Sequence, residues 1–233
     1  MARATWPCRH GTNSTSRQGL IPGDLLKSGP LPKCRTCLET QSKKRAAGTS
    51  SIQKQTELEA QPGEIASVDQ LVSPCDGLLL TTRGAPTKQR YRYVTFFVDH
   101  ATRYIFPWFH ITNNAQDTIK AKEQYEAFAR SHNRTLCHIH GDNGTFSAAE
   151  FRFDALKKGQ TQSFCATGAH WQNGIVERTI GIVTTLARSM LSHAMRQWPE
   201  VVTEQFWSFA VRHAVNILNM MPRSKLYVSN HQK

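Results

Sequence analysis

The apolar patterns along this 233-residue chain predict an α/β protein with a mixed five-stranded sheet flanked by helices. Short runs that alternate between apolar and polar residues indicate strands, and longer runs with apolar residues three and four positions apart indicate helices. A hydrophobic content of 39% is enough to build a core in a chain of this length. The first 60 or so residues lack both patterns, which predicts a small irregular module before the core.

Three consecutive strands are expected first. Residues 65–69 alternate with the period of a strand, whereas residues 74–90 are rich in Gly, Thr and Lys and predict an insertion. Two apolar runs, 91–98 and 103–109, are separated by a short polar segment and predict a hairpin. Asp99, in that segment, is expected to brace the hairpin.

The second half of the core alternates between helices and strands. Asn114 precedes Asp117 by three residues, which predicts a capped helix over 115–132. A strand, a helix and a strand are then expected over residues 135–139, 148–158 and 161–165. A long helix begins between Trp171 and Gly174, with an apolar stripe at Val176, Ile180, Val183, Ala187, Met190 and Ala194. Pro199 is expected in the first turn of the last helix.

The charge balance indicates a polyanionic partner. The chain has 29 Lys and Arg against 17 Asp and Glu, a net charge of +12. Nucleic acid is the commonest partner of such a surface. No run approaches the roughly 18 apolar residues of a membrane span, so we expect no membrane partner and an intracellular protein. Six scattered cysteines then indicate reduced thiols or metal ligands rather than disulfides.

Three acidic residues are candidates for one metal site. Asp142 follows an apolar strand in the sequence His-Gly-Asp-Asn-Gly, where a carboxylate would emerge at the carboxyl edge of a sheet. Glu177 lies 35 residues later on the long helix, beside its apolar stripe, and is expected to point toward the sheet. Asp69 on the first strand completes the set, with Asp76 as the alternative. Structural roles remain open, a turn residue for Asp142 and a surface acid for Glu177.

Converging carboxylates repel one another, and divalent cations relieve that repulsion. Hard oxygen ligands favour Mg²⁺ or Mn²⁺ over zinc. Two such ions stabilise the entering and leaving oxygens in phosphodiester chemistry. Side chains around the acids would bind nucleic acid: Asn143, Trp171, Gln172, Asn173, Arg178 and Arg188. A core position for Trp171, and a merely solvated helix face for the arginines, are the alternatives.

Four segments together resemble the integrase core of copia-type (Pseudoviridae) retrotransposons, which are relatives of retroviral integrases. They read IASVD at 65–69, VDHATRY at 98–104, HGDNG at 140–144 and QNGIVER at 172–178. The resemblance covers about residues 64–221. It implies an RNase H-like fold.

The resemblance also implies functions for the residues. Asp69, Asp142 and Glu177 fall on the family's DD35E triad, which holds the ions that trim DNA 3′ ends and join them to target DNA. Double-stranded DNA and a homo-oligomer are the implied partners. The nucleus and a cytoplasmic virus-like particle are the implied locations.

The N-terminal region carries a candidate zinc site. Cys34 and Cys37 form a CxxC pair, which supplies two thiolates to many zinc sites. The family has an HHCC module here, of which His10 is the histidine that remains, with Cys8 as a possible substitute ligand. We therefore expect a degenerate zinc module over 1–40.

The remaining boundaries follow from composition. A polar linker is expected over 41–63, the catalytic core over 64–222 and a tail over 223–233. Such integrases carry a basic region after the core, which we do not expect in this chain, so a truncated, catalytically inactive relic that still binds nucleic acid is the alternative function. A ribonuclease H is a third possibility, which would require a fourth carboxylate from Glu123 or Glu126.

Overall fold

The computed structural model of the chain describes residues 60–80, 87–165 and 173–221. Within these ranges the strands are β1 Ile65–Gly77, β2 Tyr91–Asp99, β3 Ile105–His110, β4 His138–Gly141 and β5 Thr161–Phe164. The helices are α1 Ala115–Ser131, α2 Ala149–Lys157, α3 Gly174–Gln197 and α4 Trp207–Met220, with short 3₁₀ turns at Thr145–Ser147 and Glu204–Phe206. In the described part, no helix is long and apolar enough to span a membrane.

The strands form one mixed sheet in the order β3-β2-β1-β4-β5. β1 pairs antiparallel with β2, and β2 pairs antiparallel with β3. On its other side β1 pairs parallel with β4, which pairs parallel with β5. The prediction of a mixed five-stranded sheet is confirmed, and the direction of pairing changes at the central strand, β1.

Both faces of the sheet are covered by helices. Phe96 and Phe97 are neighbours on β2, and because successive strand residues point to opposite faces, they enter different cores. Phe96 packs with residues of α3 and α4, and Phe97 packs with residues of α1 and α2. Both rings are fully buried. This arrangement places α3, which carries Glu177, over the face of β1 and β2.

Helix α1 begins as its sequence predicts. The Asn114 side chain accepts a hydrogen bond from the backbone N–H of Asp117 at 2.7 Å, which satisfies one of the unpaired amides of the first turn. Ala121, Tyr125 and Ala129 recur every four residues and are buried against the sheet.

A buried ionic cluster joins α1 to α2. The fully buried Lys122 ammonium lies 2.7 Å from Asp154 Oδ2 and 3.2 Å from Glu126 Oε1, and it donates to Gln160 Oε1 at 2.8 Å. Burial alone would raise the pKa of Asp154, but hydrogen bonds from Lys122 and Lys158 outweigh burial and lower that pKa. The charged form of Asp154 is therefore the stable one in the fold.

Strand β1 is longer than its sequence predicts. The prediction that an insertion starts at residue 74 is wrong. Residues 74–77 belong to β1, which continues to Gly77 after a register shift that follows Val72. Trp207 of α4 stabilises this extension by donating from Nε1 to the Cys75 carbonyl at 3.1 Å. Gly77 packs directly against the same indole ring.

The last helix starts later than expected. Pro199 does not lie in its first turn, because α4 begins at Trp207. Instead the chain makes a turn in which the Val202 amide donates to the Trp198 carbonyl at 2.9 Å. The extended backbone of Thr203 then separates this turn from the 3₁₀ segment before α4.

Candidate active site

The parallel pairing of β1 with β4 places Asp69 and Asp142 side by side. The last matched pair of these strands is Ser67 with His140, and each aspartate lies two residues beyond its member of that pair. Neighbouring strands lie about 4.8 Å apart. Both aspartates are half-buried. The two acids therefore occupy the same level at the end of the β1–β4 ladder.

Glycines on both sides of Asp142 make room for its carboxylate. A Cβ on Gly141 would lie 3.1 Å from Val68 Cγ1, so this glycine lets the end of β4 approach β1 closely. A side chain on Gly144 would meet the Asp142 carboxylate itself. Asp142 Oδ1 is buried and accepts no hydrogen bond. The carboxylate is thus held at the site with one oxygen still available.

The end of β5 forms the base of the site. The Cys165 backbone N–H donates to the Gly141 carbonyl at 3.1 Å, and Asn143 Nδ2 donates to the Cys165 carbonyl. These two hydrogen bonds tie the loop after β4 to the segment after β5. The Cys165 side chain is 4% exposed.

Asn173 attaches the start of α3 to β1. Its Nδ2 donates to the Val68 carbonyl at 3.0 Å, next to Asp69 along the strand. Glu177 lies in the first turn of α3. Its side chain is exposed to solvent, which differs from the expectation that it points toward the sheet.

The three acids act electrostatically on one thiol. Burial raises the pKa of Cys165, and three carboxylates raise it further, those of Asp142, Glu177 and Asp69. Each acid is therefore close enough to Cys165 for its charge to disfavour the thiolate. In the described ranges, however, no three His, Cys, Asp or Glu side chains stand close enough to hold one metal ion. The charges of the three acids therefore act on one thiol, although the three side chains do not form a metal-sized cluster in the described residues.

The alternative acids are engaged elsewhere. Asp76 is exposed on the extension of β1 and pairs with Arg92 at 3.2 Å. Glu126 is buried against Lys122 and Lys158, and Glu123 lies 3.5 Å from Lys158. These contacts place the acids of α1 in the cluster with α2. They remove the expected sources of a fourth carboxylate for ribonuclease H chemistry.

A row of polar side chains that sequence reasoning missed leads to the site along β4 and β5. His138 and His140 both contact the Ser163 hydroxyl at 2.8 Å, and His140 lies 3.8 Å from the Cys165 thiol. The available signal was the alternation around the buried Ile139, which places both histidines on the opposite face of β4.

The expected nucleic-acid ligands divide into three groups. Arg178 and Arg188 are exposed on α3, as a phosphate contact requires. The amides of Asn143 and Asn173 donate to backbone carbonyls of the protein instead. Trp171 and Gln172 lie outside the described residues, as do the predicted zinc ligands His10, Cys34 and Cys37.

No protein-family model matches the chain. The chain is similar to the HTLV-2 integrase catalytic core domain, solved in complex with magnesium in a trimeric form. That match has 20% identity and a TM-score of 0.51, and covers 73% of this chain and 95% of that one. A simian T-cell lymphotropic virus intasome, solved with the PP2A regulatory subunit B56 gamma, matches at 17% identity with a TM-score of 0.56, over 95% of this chain and 69% of that one.

At these identities the likeness concerns the fold. In this chain the fold is the sheet β3-β2-β1-β4-β5 with helices on both faces. The chain has the RNase H-like fold of retroviral integrase catalytic cores.

Proposed function

We propose that this chain is the catalytic core of a copia-type retrotransposon integrase, a metal-dependent polynucleotidyl transferase that trims DNA 3′ ends and joins them to target DNA. The observation that carries the proposal is the register of β1 with β4, which aligns Asp69 with Asp142 beside the start of the helix that carries Glu177. Asp142, Glu177 and Asp69 come from separate elements, yet their charges reach one thiol. Such a concentration of carboxylates is typical of sites that bind divalent cations.

The ligand atoms of Asp69, Asp142 and Glu177 are of the kind that Mg²⁺ or Mn²⁺ prefers. All three donors are hard carboxylate oxygens, and buried Asp142 Oδ1 has no hydrogen-bond donor. Glu177 is exposed on the first turn of α3, the helix whose start Asn173 attaches to β1 next to Asp69. When bound, the ions would activate the attacking oxygen and stabilise the leaving oxygen of the phosphodiester.

The basic residues supply the affinity for DNA in this proposal. Arg178 and Arg188 are exposed on the helix that carries Glu177, and the chain has a net charge of +12. Arg178 would hold a phosphate of double-stranded DNA beside Glu177, and Arg188 would hold one about 16 Å further along the helix. Binding through phosphates weakens steeply as salt concentration rises.

The proposal extends to assembly and location. Joining two DNA ends to one target requires at least two active sites, so we propose a homo-oligomer. The trimeric form and the intasome among the similar structures support this. A zinc ion on His10, Cys34 and Cys37, and action in the nucleus and in a cytoplasmic virus-like particle, are further parts of the proposal.

One observation favours a second candidate function. Because no three potential ligands in the described residues stand close enough for one ion, a catalytically inactive relic that still binds nucleic acid is the alternative. The two functions make different predictions about catalysis and the same prediction about DNA binding.

The test is a DNA-nicking and strand-joining assay with labelled DNA ends and Mn²⁺. We expect activity in the wild type, and loss of activity in Asp142→Asn and Glu177→Gln with salt-sensitive DNA binding retained. Asp76→Asn is the matched control, since it removes an exposed acid that pairs with Arg92. Activity that survives in both site variants would reject the assigned residues. DNA binding without any wild-type activity would establish the relic.

A further inference from the structure

Asn173 connects two parts of the candidate site through one buried hydrogen bond. It is 2% exposed, and its Nδ2 donates to the Val68 carbonyl at 3.0 Å. Val68 directly precedes Asp69 on β1, and Asn173 directly precedes α3. The bond therefore joins the strand that carries one acid to the helix that carries another.

The side chain of Asn173 does not cap α3. Asparagine at this position ordinarily accepts a hydrogen bond from an amide of the first helical turn, but Asn173 makes no such bond. Its Oδ1 is instead buried without a donor. An unsatisfied buried oxygen destabilises a fold. The side chain is therefore not arranged to stabilise the helix that it precedes.

The bond restricts the position of Glu177. Glu177 lies four residues after Asn173, one helical turn and about 6 Å along the axis, on the same side of the helix. An anchor at Asn173 thus fixes the position of Glu177 along the helix axis relative to Asp69 on β1.

We propose that Asn173 is a positioning residue: by attaching the start of α3 to β1, it sets the position of Glu177 relative to Asp69, so that both carboxylates reach the same cation. This inference rests on the proposed function, and it replaces the DNA contact expected for Asn173. The Asn173 amide does not contact the cation in this proposal, because it bonds Val68 and acts only by positioning Glu177.

The experiment measures Mn²⁺ affinity of the purified chain without DNA, from the electron paramagnetic resonance signal of free Mn²⁺. The variants are Asn173→Ala, Glu177→Gln and the double variant. Loss of a group that orients a metal ligand typically weakens affinity by about 10- to 100-fold. We expect a loss of this size in Asn173→Ala. In the double variant we expect no further loss beyond Glu177→Gln, because Asn173 acts through Glu177.

Asn219→Ala is the matched control. Asn219 lies on α4 and is also 2% exposed, and its side chain bonds the backbone of Ile105 on β3. Ile105 N donates to Asn219 Oδ1 at 3.0 Å, and Asn219 Nδ2 donates to the Ile105 carbonyl at 2.9 Å. We expect this variant to lower the thermal midpoint without changing Mn²⁺ affinity. Asn173→Leu, which fills the space of the amide, replaces Asn173→Ala if the latter fails to fold.

The outcomes separate the inference from the proposed function. Wild-type affinity in Asn173→Ala, with a loss in Glu177→Gln, overturns the positioning role and leaves the proposed function standing. Additive losses in the double variant also overturn that role, because they show that Asn173 does not act through Glu177. A wild type that binds Mn²⁺ no better than Glu177→Gln overturns both.

Discussion

An ideal Cβ on Gly144 lies 2.9 Å from Asp142 Oδ2 and 3.4 Å from Asp142 Cγ. The Asp142 carboxylate thus occupies the space that any other residue at position 144 would fill. The neighbouring carboxylate therefore requires a glycine at position 144.

We predict that Gly144→Ala keeps the fold but displaces the Asp142 carboxylate. Mn²⁺ affinity should fall about tenfold or more, while the thermal midpoint changes little. Gly181→Ala is the control, since a Cβ there meets nothing within 4 Å. That helical substitution should stabilise the chain by about 0.5–1 kcal/mol. Unchanged Mn²⁺ affinity in Gly144→Ala would contradict the assignment of Asp142.

Lys122→Met should destabilise the fold strongly. The variant removes the buried ammonium between Asp154 and Glu126, which then keep the more exposed Lys158 as their partner. Breaking a buried ion pair on one side costs up to about 3–5 kcal/mol, and Lys158 offsets part of that cost. Urea unfolding measures the change. Lys120→Met, on the same helix, removes an exposed pair at 3.8 Å from Asp117 and should cost under about 1 kcal/mol. Equal effects of both substitutions would disprove the role of the cluster.

The stability of the fold should decrease in mild acid because of His100. Burial, followed by the charge of Arg103, lowers the pKa of His100 from 6.5 to about 4. Between these values the unfolded chain binds the proton and the folded chain does not, so the free energy of unfolding falls as pH decreases. This contribution is fully present above pH 6.5 and is lost toward pH 4.

His100→Gln should therefore make the urea midpoint less sensitive to pH between about 7 and about 4.5. The same substitution at the exposed His132 is the control for the chemical change. An identical pH dependence in wild type and His100→Gln would show that this imidazole does not contribute.

Gly77→Ala should weaken the attachment of α4 to the sheet. A Cβ on Gly77 would lie 2.6 Å from Trp207 Cε2, and Trp207 also bonds the Cys75 carbonyl. Overpacking of this kind costs about 1–3 kcal/mol. Thermal unfolding followed by tryptophan fluorescence checks this prediction. A midpoint equal to that of wild type would mean that the indole ring moves aside freely.

Local signals account for the parts of the fold that the sequence predicts. The cap at Asn114 and the apolar stripe of α3 depend on residues within one or two helical turns, and both elements are observed. The extension of β1 past Pro74 was missed because it depends on Trp207, which is far away in the chain. Sequence therefore predicts elements better than their ends.

The sequence also predicts only part of the candidate site. The sequence predicts that the three acids share one region, because it places Asp69 and Asp142 beside strands and Glu177 on α3. The bond from Asn173 to Val68 spans 105 residues, and no local pattern announces it. The exposure of Glu177 also escaped prediction, because the direction of a side chain beside an apolar stripe depends on how the helix packs.

Strand β1 is the common reference for the three acids. Its register with β4 aligns Asp69 with Asp142, and the Asn173 amide attaches the helix that carries Glu177 to the same strand. A change that displaces β1 should therefore displace all three acids together.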